Sequence, residues 1–302
     1  MTEPSILTLF IQLILLFAPA QGTQSAVAQV VPAISGTRLS VDVNGNLYVV
    51  NAETNILRLY SPAFVPRREV GGQGWGDNQF DHPTGVWARN GIDVFVADYG
   101  NHRIQRFDRS LNFVASFSTR DNDNPDQRFG YPTDVAVSPL GDLFLCDGEN
   151  SRILKVDRFS QVERTFGGFD AGKGRIENPA TVQVGPRDQI LVVDGARIVV
   201  FDYFGNYTGM LGEGLWGAPL CLYADESVVA VVDSARLICF DADRRPIVAT
   251  TLAAIGVPPG WDVRSLTLLG GKVYLLGSSG LAIVADPRMT GGSGLDKEPK
   301  NR

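Results

Sequence analysis

Phe80-Asp-His-Pro-Thr-Gly-Val86, Asp93-Val-Phe-Val-Ala-Asp98 and Tyr99-Gly-Asn-His-Arg-Ile-Gln-Arg-Phe-Asp108 form one phrase of this sequence, and the phrase returns. Its second copy reads Phe129-Gly-Tyr-Pro-Thr-Asp-Val135, Asp142-Leu-Phe-Leu-Cys-Asp147 and Gly148-Glu-Asn-Ser-Arg-Ile-Leu-Lys-Val-Asp157. A repeat in the forties of residues, filled with short apolar runs and Gly/Asp turns, is the pattern of propeller blades.

The same grammar extends to six copies. First strands begin near Arg38, Gly85, Asp134, Thr181, Cys221 and Ser265. Second strands cover 46–51, 93–98, 142–147, 189–194, 227–233 and 272–277; third strands cover 56–60, 104–108, 153–157, 198–202, 237–241 and 281–284. Val, Ile, Leu and Phe dominate these runs, as strands require. An Asp or Asn after most second strands can hydrogen-bond the following turn; the sixth copy has Gly277-Ser-Ser-Gly280 instead. Fourth strands are clear at 112–117 and 162–166 and shorter or less regular at 69–70, 207–211 and 247–252, and the sixth copy has none. The run Ala26-Val-Ala-Gln-Val-Val31 lies ahead of the first copy and supplies the missing strand. The expected fold is therefore all-β: a six-bladed β-propeller of four-stranded antiparallel blades over residues 26–288, with the N-terminal strand closing the last blade. Ring closure leaves no open end blade with an unpaired inner interface. Residues 289–302 run from Gly-Gly-Ser-Gly into charges and Pro and are expected to be a disordered tail.

Ile6–Ala18 is an apolar run too short for a comfortable membrane span. With Ala18-Pro-Ala20 as a small-x-small site, residues 1–20 read as a signal peptide or hydrophobic leader. The expected localisation is exported, periplasmic or extracellular. The start Met-Thr-Glu-Pro lacks the usual basic residue, so an uncleaved leader giving peripheral or anchored membrane association is the alternative. Three cysteines make no disulfide framework; Cys146, Cys221 and Cys239 read as small buried hydrophobes. Asn206-Tyr-Thr208 is a glycosylation sequon, meaningful only in a cell that glycosylates exported proteins.

The net charge is −6, from 27 basic and 33 acidic residues, with no Lys/Arg block. That argues against nucleic acid as a partner, because phosphate contacts need basic clusters. Arginines stand singly near strand ends, where their stems can cover apolar surface.

At Asp98-Tyr-Gly-Asn-His-Arg-Ile104 the sequence resembles the NHL-repeat propellers, whose repeat carries an Asn-His element after a β-run ending in Ala-Asp. Asn150-Ser-Arg-Ile153 keeps the Asn and Arg, and the later copies shorten to Gly195-Ala-Arg-Ile198 and Ser234-Ala-Arg-Leu237. The resemblance spans about 34–286 and is strongest in copies two and three. It implies a propeller used for RNA binding, partner binding, extracellular sensing or, in an amidating lyase, metal chemistry on histidines. The two histidines, His82 and His102, are too few for a histidine-rich zinc site. His102 occupies the repeat's own turn position. Six-bladed lactonases, which this fold also resembles, hold a metal at the channel with several acids. Here the ring of first-strand residues offers one, Asp134, where a hard cation would want more oxygens.

In such blades the b–c turns and the d–a connections share one face. The long connections 71–82, 118–131 and 167–178 lie there. Trp75, His82, Tyr99, Tyr131, Phe169 and Trp216 are the candidate binding-face residues, Trp75 standing between glycines. Phe80, Phe129 and Ile176 read as interblade plugs. Asp121, Asp123 and Asp126 form an oxygen-rich run resembling half a calcium loop, but without its glycine and final Glu. No cofactor is expected; if a cation binds, calcium at this run or a metal at Asp134 is the candidate. No nucleophile elbow, zincin motif, P-loop or dinucleotide fingerprint occurs. The function expected is an exported, non-enzymatic propeller that binds a protein or surface ligand through the long-loop face, as a free module or as a subunit of a larger complex. The alternative is a divergent metal-dependent lactonase- or lyase-like enzyme using the channel.

Overall fold

The computed structural model describes residues 28–289, apart from Phe159 and Leu220. The leader 1–20 and the tail from 290 onward lie outside the described residues. Those described form six four-stranded antiparallel sheets. Blade 1 contains Arg38–Val41, Leu47–Asn51, Ile56–Tyr60 and Pro66–Gly71; blade 2 contains Pro83–Trp87, Asp93–Asp98, Arg103–Asp108 and Phe113–Phe117. Blade 3 contains Pro132–Val137, Leu143–Asp147, Arg152–Val156 and Val162–Phe166; blade 4 contains Pro179–Val184, Ile190–Asp194, Arg197–Phe201 and Tyr207–Leu211. Blade 5 contains Cys221–Ala224, Val229–Val232, Arg236–Phe240 and Pro246–Thr251. Blade 6 contains Ser265–Leu269, Lys272–Gly277 and Gly280–Ala285, and its outermost strand is Gln29–Val31. The four strands of each blade are called a to d from the channel outward.

Ring closure is as the orphan run suggests. Gln29, Val30 and Val31 pair with Ile283, Ala282 and Leu281. Residues 26 and 27 of that run lie outside the described residues. The sequence also misplaced the start of three first strands: in blades 2, 3 and 4 strand a begins earlier, at Pro83, Pro132 and Pro179, and each is interrupted by a register shift. The proline lacks a ladder N–H and the bulge absorbs the mismatch, so the apolar pattern became visible only after the bulge.

Burial explains why the b strands read as unbroken apolar runs. Ile190–Asp194 is buried throughout, because both faces of a blade pack against neighbouring blades. Outer strands face solvent and turn polar, as Pro66–Gly71 does. Phe80, Phe129 and Ile176 are buried under the d–a connections as plugs; a fully buried Phe contributes about 1.5–3 kcal/mol. Cys146, Cys221 and Cys239 are buried free thiols.

Turns are set by carboxylates. Asp108 Oδ1 accepts the Ser110 and Asn112 N–H groups at 2.8 and 2.9 Å, and Asn112 Nδ2 donates to Oδ2 at 2.8 Å. Asp202 makes the same bonds with Phe204 and Asn206, so the sequon asparagine is part of a turn. The b–c turn of blade 6, where Gly277-Ser-Ser-Gly280 stands in place of an Asp or Asn, is held by Asp262 of the preceding connection, which accepts both the N–H and hydroxyl of Ser278.

Candidate functional site

The d–a connections are fastened by a device that repeats in blades 2 to 5. Asp98, at the end of strand b, takes Arg103 Nε on Oδ2 at 2.8 Å, together with the Asn101 and Gln105 amides, and the Asp81 N–H on Oδ1. The same guanidinium donates to the carbonyls of Trp75, Gly76 and Gln79 at 2.8–3.0 Å. Arg152 pairs with Asp147 and donates to Arg128 O; Arg197 pairs with Asp194 and donates to Arg175 O. Arg236 pairs with Asp233 and donates to Leu215 O. Burial pushes the Asp233 carboxyl up, but the Ala235 and Arg236 hydrogen bonds outweigh it and hold it below its ordinary value. Sequence reading took these arginines as isolated covers for apolar surface. They are ion-paired clamps instead, because strand pairing brings each one beside the Asp that ends strand b.

On this fixed backbone the structure brings together three of the six expected face residues. Tyr131 lies between the His102 and Tyr99 rings, with centroids 4.1 and 5.0 Å away, and His82 meets Tyr99 edge-on at 5.9 Å. His102 is buried, and its Nδ1 accepts the Tyr131 N–H at 3.1 Å. Burial, then Arg120, depress its pKa, against an opposing pull from Glu149. Trp75 and Phe169 stand apart and are 70% and 77% exposed; Arg175 stacks over Phe169 at 4.8 Å. Trp216 is half-buried, edge-on to Phe240 at 5.8 Å, and acts as a plug under its loop rather than as a projecting side chain.

The acidic run is organised by its asparagines. Asn122 and Asn124 accept the N–H groups of Asn124 and Asp126, and Arg128 donates to Asn122 O. Asp121, Asp123 and Asp126 are exposed. Among the described residues no three His, Cys, Asp or Glu side chains gather to hold a metal ion.

The channel is braced by two arginines that cross it. Arg38 of blade 1 reaches Thr181 Oγ1 of blade 4 at 2.8 Å and Arg264 O at 3.0 Å. Arg89 of blade 2 reaches Ala224 O and, at 3.4 Å, the Tyr223 hydroxyl of blade 5. The narrow section keeps about 30 Å³, room for about two waters. Asp134 is the one carboxylate among the described residues lining it. Its Oδ2 accepts the Val182 N–H of the next blade at 3.2 Å. Burial raises its pKa to about 6, against the opposing pull of Arg38 and the Val135 and Val182 N–H groups. One carboxylate facing a guanidinium does not fit a divalent cation, which needs several oxygens.

A family model for the NHL repeat matches residues 129–156, the plug phenylalanine and first three strands of blade 3. Blade 3 carries an NHL repeat within a six-bladed propeller. Its NHL element does the clamping: the Asn and Arg positions bind the Asp that ends strand b. A search of curated proteins finds no match to the sequence. Among solved structures, the chain is similar to a virginiamycin B lyase from Staphylococcus aureus at 11% identity and TM-score 0.58, over 82% of this chain and 78% of that one. It is similar to a gluconolactonase from Xanthomonas campestris at 10% identity and TM-score 0.63, over 86% and 91%. A hydrazine synthase chain from Kuenenia stuttgartiensis matches at 10% identity and TM-score 0.54, over 88% and 98%. Identities this low establish a shared fold, on which sites differ.

Proposed function

We propose that this NHL propeller is an exported, non-enzymatic binding module that receives a protein or surface ligand on its d–a face. The observation that carries the reading is the clamped backbone beneath exposed aromatics. Trp75 projects from a loop whose carbonyls are held by Arg103, and Tyr131 is braced by His102 and Tyr99. Large rings on a pre-ordered backbone bind with little further loss of conformational freedom. The lyase- or lactonase-like alternative would need a channel cation, and the Arg38 guanidinium beside Asp134 opposes one.

The test is a pull-down with the full chain, followed by calorimetry on the recovered partner with Trp75→Ala and Asp134→Ala. Trp75→Ala is expected to weaken binding by about 2 kcal/mol or more, the range of interface hot spots, without lowering the melting temperature. Asp134→Ala is expected to leave partner affinity unchanged. Elemental analysis showing stoichiometric calcium or zinc that Asp134→Ala abolishes, with Trp75→Ala binding the partner normally, would overturn the reading. Export is tested by cell fractionation: a mature chain in the cytoplasm contradicts it.

A further inference from the structure

A cavity of about 550 Å³ opens on the other side of the ring, where the a–b turns surround the channel mouth. That volume lies within the range of small-molecule sites. Trp87, Phe95, Leu143, Val184 and Leu268 contribute apolar wall, and the space runs outward between blades 2 and 3. At the rim, the a–b turn of blade 1 presents Val43, which is 69% exposed. The corresponding turns of blades 4 and 5 carry the exposed Asp188 and Glu226.

Arg89 lies in this mouth without an ion pair among the described residues. Its guanidinium is stacked 4.8 Å above the Tyr223 ring and spends one N–H on Ala224 O and another on the Tyr223 hydroxyl. An arginine has five such donors. Of the acids lining the cavity, Asp93 pairs with Arg106 at 2.8 Å, Asp225 accepts the Tyr223 hydroxyl and the Ser227 and Val228 N–H groups, and Asp188 and Glu226 stand in solvent on the turns of blades 4 and 5. A half-buried guanidinium with spare donors at the edge of an apolar cavity attracts an anion more strongly than one in open water.

We infer that this mouth is a binding site for a monocarboxylic acid with an apolar body. The body lies along Trp87 and Leu143 under Val43 at the rim, and the carboxylate accepts hydrogen bonds from Arg89. The site is on the opposite side from the long loops, so its failure leaves the proposal for that face standing.

The experiment is a fluorescence titration of the purified full chain, below micelle-forming concentrations, with dodecanoate, 1-dodecanol and dodecylamine as probes. Saturable quenching by dodecanoate is expected, and it should disappear in Trp87→Phe. Dodecanol and dodecylamine should bind about tenfold or more weakly, the scale of a hydrogen bond to a charged group. Arg89→Met should remove the preference for the carboxylate while leaving dodecanol affinity unchanged. If Arg89→Met fails to fold by circular dichroism, Val43→Glu is the second variant: it lines the cavity from an exposed turn and should weaken dodecanoate binding through like charge at the rim. Absence of saturable quenching, equal affinity for the acid and the amine, or an unchanged preference in Arg89→Met would overturn the inference. So would unchanged dodecanoate affinity in Val43→Glu.

Discussion

Arg103 does more than its place at a strand end suggests. It neutralises Asp98, which is buried completely, and it ties down three loop carbonyls. Removing one partner of a buried pair leaves an uncompensated charge, at a cost of about 3 kcal/mol. Arg103→Ala is therefore expected to lower unfolding free energy by that order in urea denaturation, whereas Arg58→Ala, which breaks a surface pair with Glu69, should cost less than about 1 kcal/mol. A second residue-scale prediction concerns pH. Asp134 ionises near 6 in the fold, above its ordinary 3.8, so the folded state holds the proton more tightly than the unfolded chain. Its contribution to stability is complete below about 4 and is lost as pH rises through about 6. Asp134→Asn keeps an acceptor for Val182 and should remove about 2–3 kcal/mol of the stability gained on acidification from pH 7 to 4. Thermal melts across that range, wild type against variant, check the slope. His102 acts in the opposite direction: its depressed pKa means stability is lost as pH falls below its unfolded value near 6.5.

At the scale of the element, the three residues Gln29–Val31 turn an open series of blades into a ring. Without them the strand Gly280–Ala285 becomes a sheet edge with unpaired backbone groups. A chain beginning after Val31 is expected to melt several degrees lower and to be cut by protease first in blade 6, as seen by mass spectrometry of the early fragments. A signal-peptide cleavage after Ala20 would leave this strand whole. The same economy appears at blade contacts, where Gly85 lets strand a of blade 2 approach Asp134: a Cβ there would sit 2.5 Å from Oδ1 and 2.9 Å from Cα of Asp134.

Across the whole molecule, Arg38 and Arg89 link blades on opposite sides of the axis, blade 1 to 4 and blade 2 to 5. The three thiols are buried in the inner strands of blades 3 and 5. Burial pushes Cys221 and Cys239 up to about 12 and raises Cys146 well above its ordinary value. Only a thiolate reacts readily, so the native protein is expected to give no colour with a disulfide reagent. On urea titration the three thiols should become reactive together, at the midpoint reported by circular dichroism. Reaction of Cys146 alone before that midpoint would show that the blades open separately.

The periodicity of apolar runs was enough to count the blades, because a blade buried on both faces must be apolar through its inner strands, and enough to place Phe80, Phe129 and the cysteines in the core. It was enough to foresee Gln29–Val31 in blade 6, because the last copy lacked an outer strand. Strand starts at Pro83, Pro132 and Pro179 were not legible, since a bulge shifts the alternation. Nor were the clamps: Arg103 and Asp98 are written five positions apart, but the carbonyls they hold lie in a loop more than twenty residues earlier. The aromatic patch was half legible, as residue types on one face, but only packing put Tyr131 against His102 and turned Trp216 inward. The cavity around Arg89 was not legible at all, since its walls come from turns of every blade and no local pattern records which turns meet. Local hydrophobic pattern determines the repeat and the ring; the sites depend on which ends of distant strands the closed ring brings together, and that is decided by tertiary packing alone.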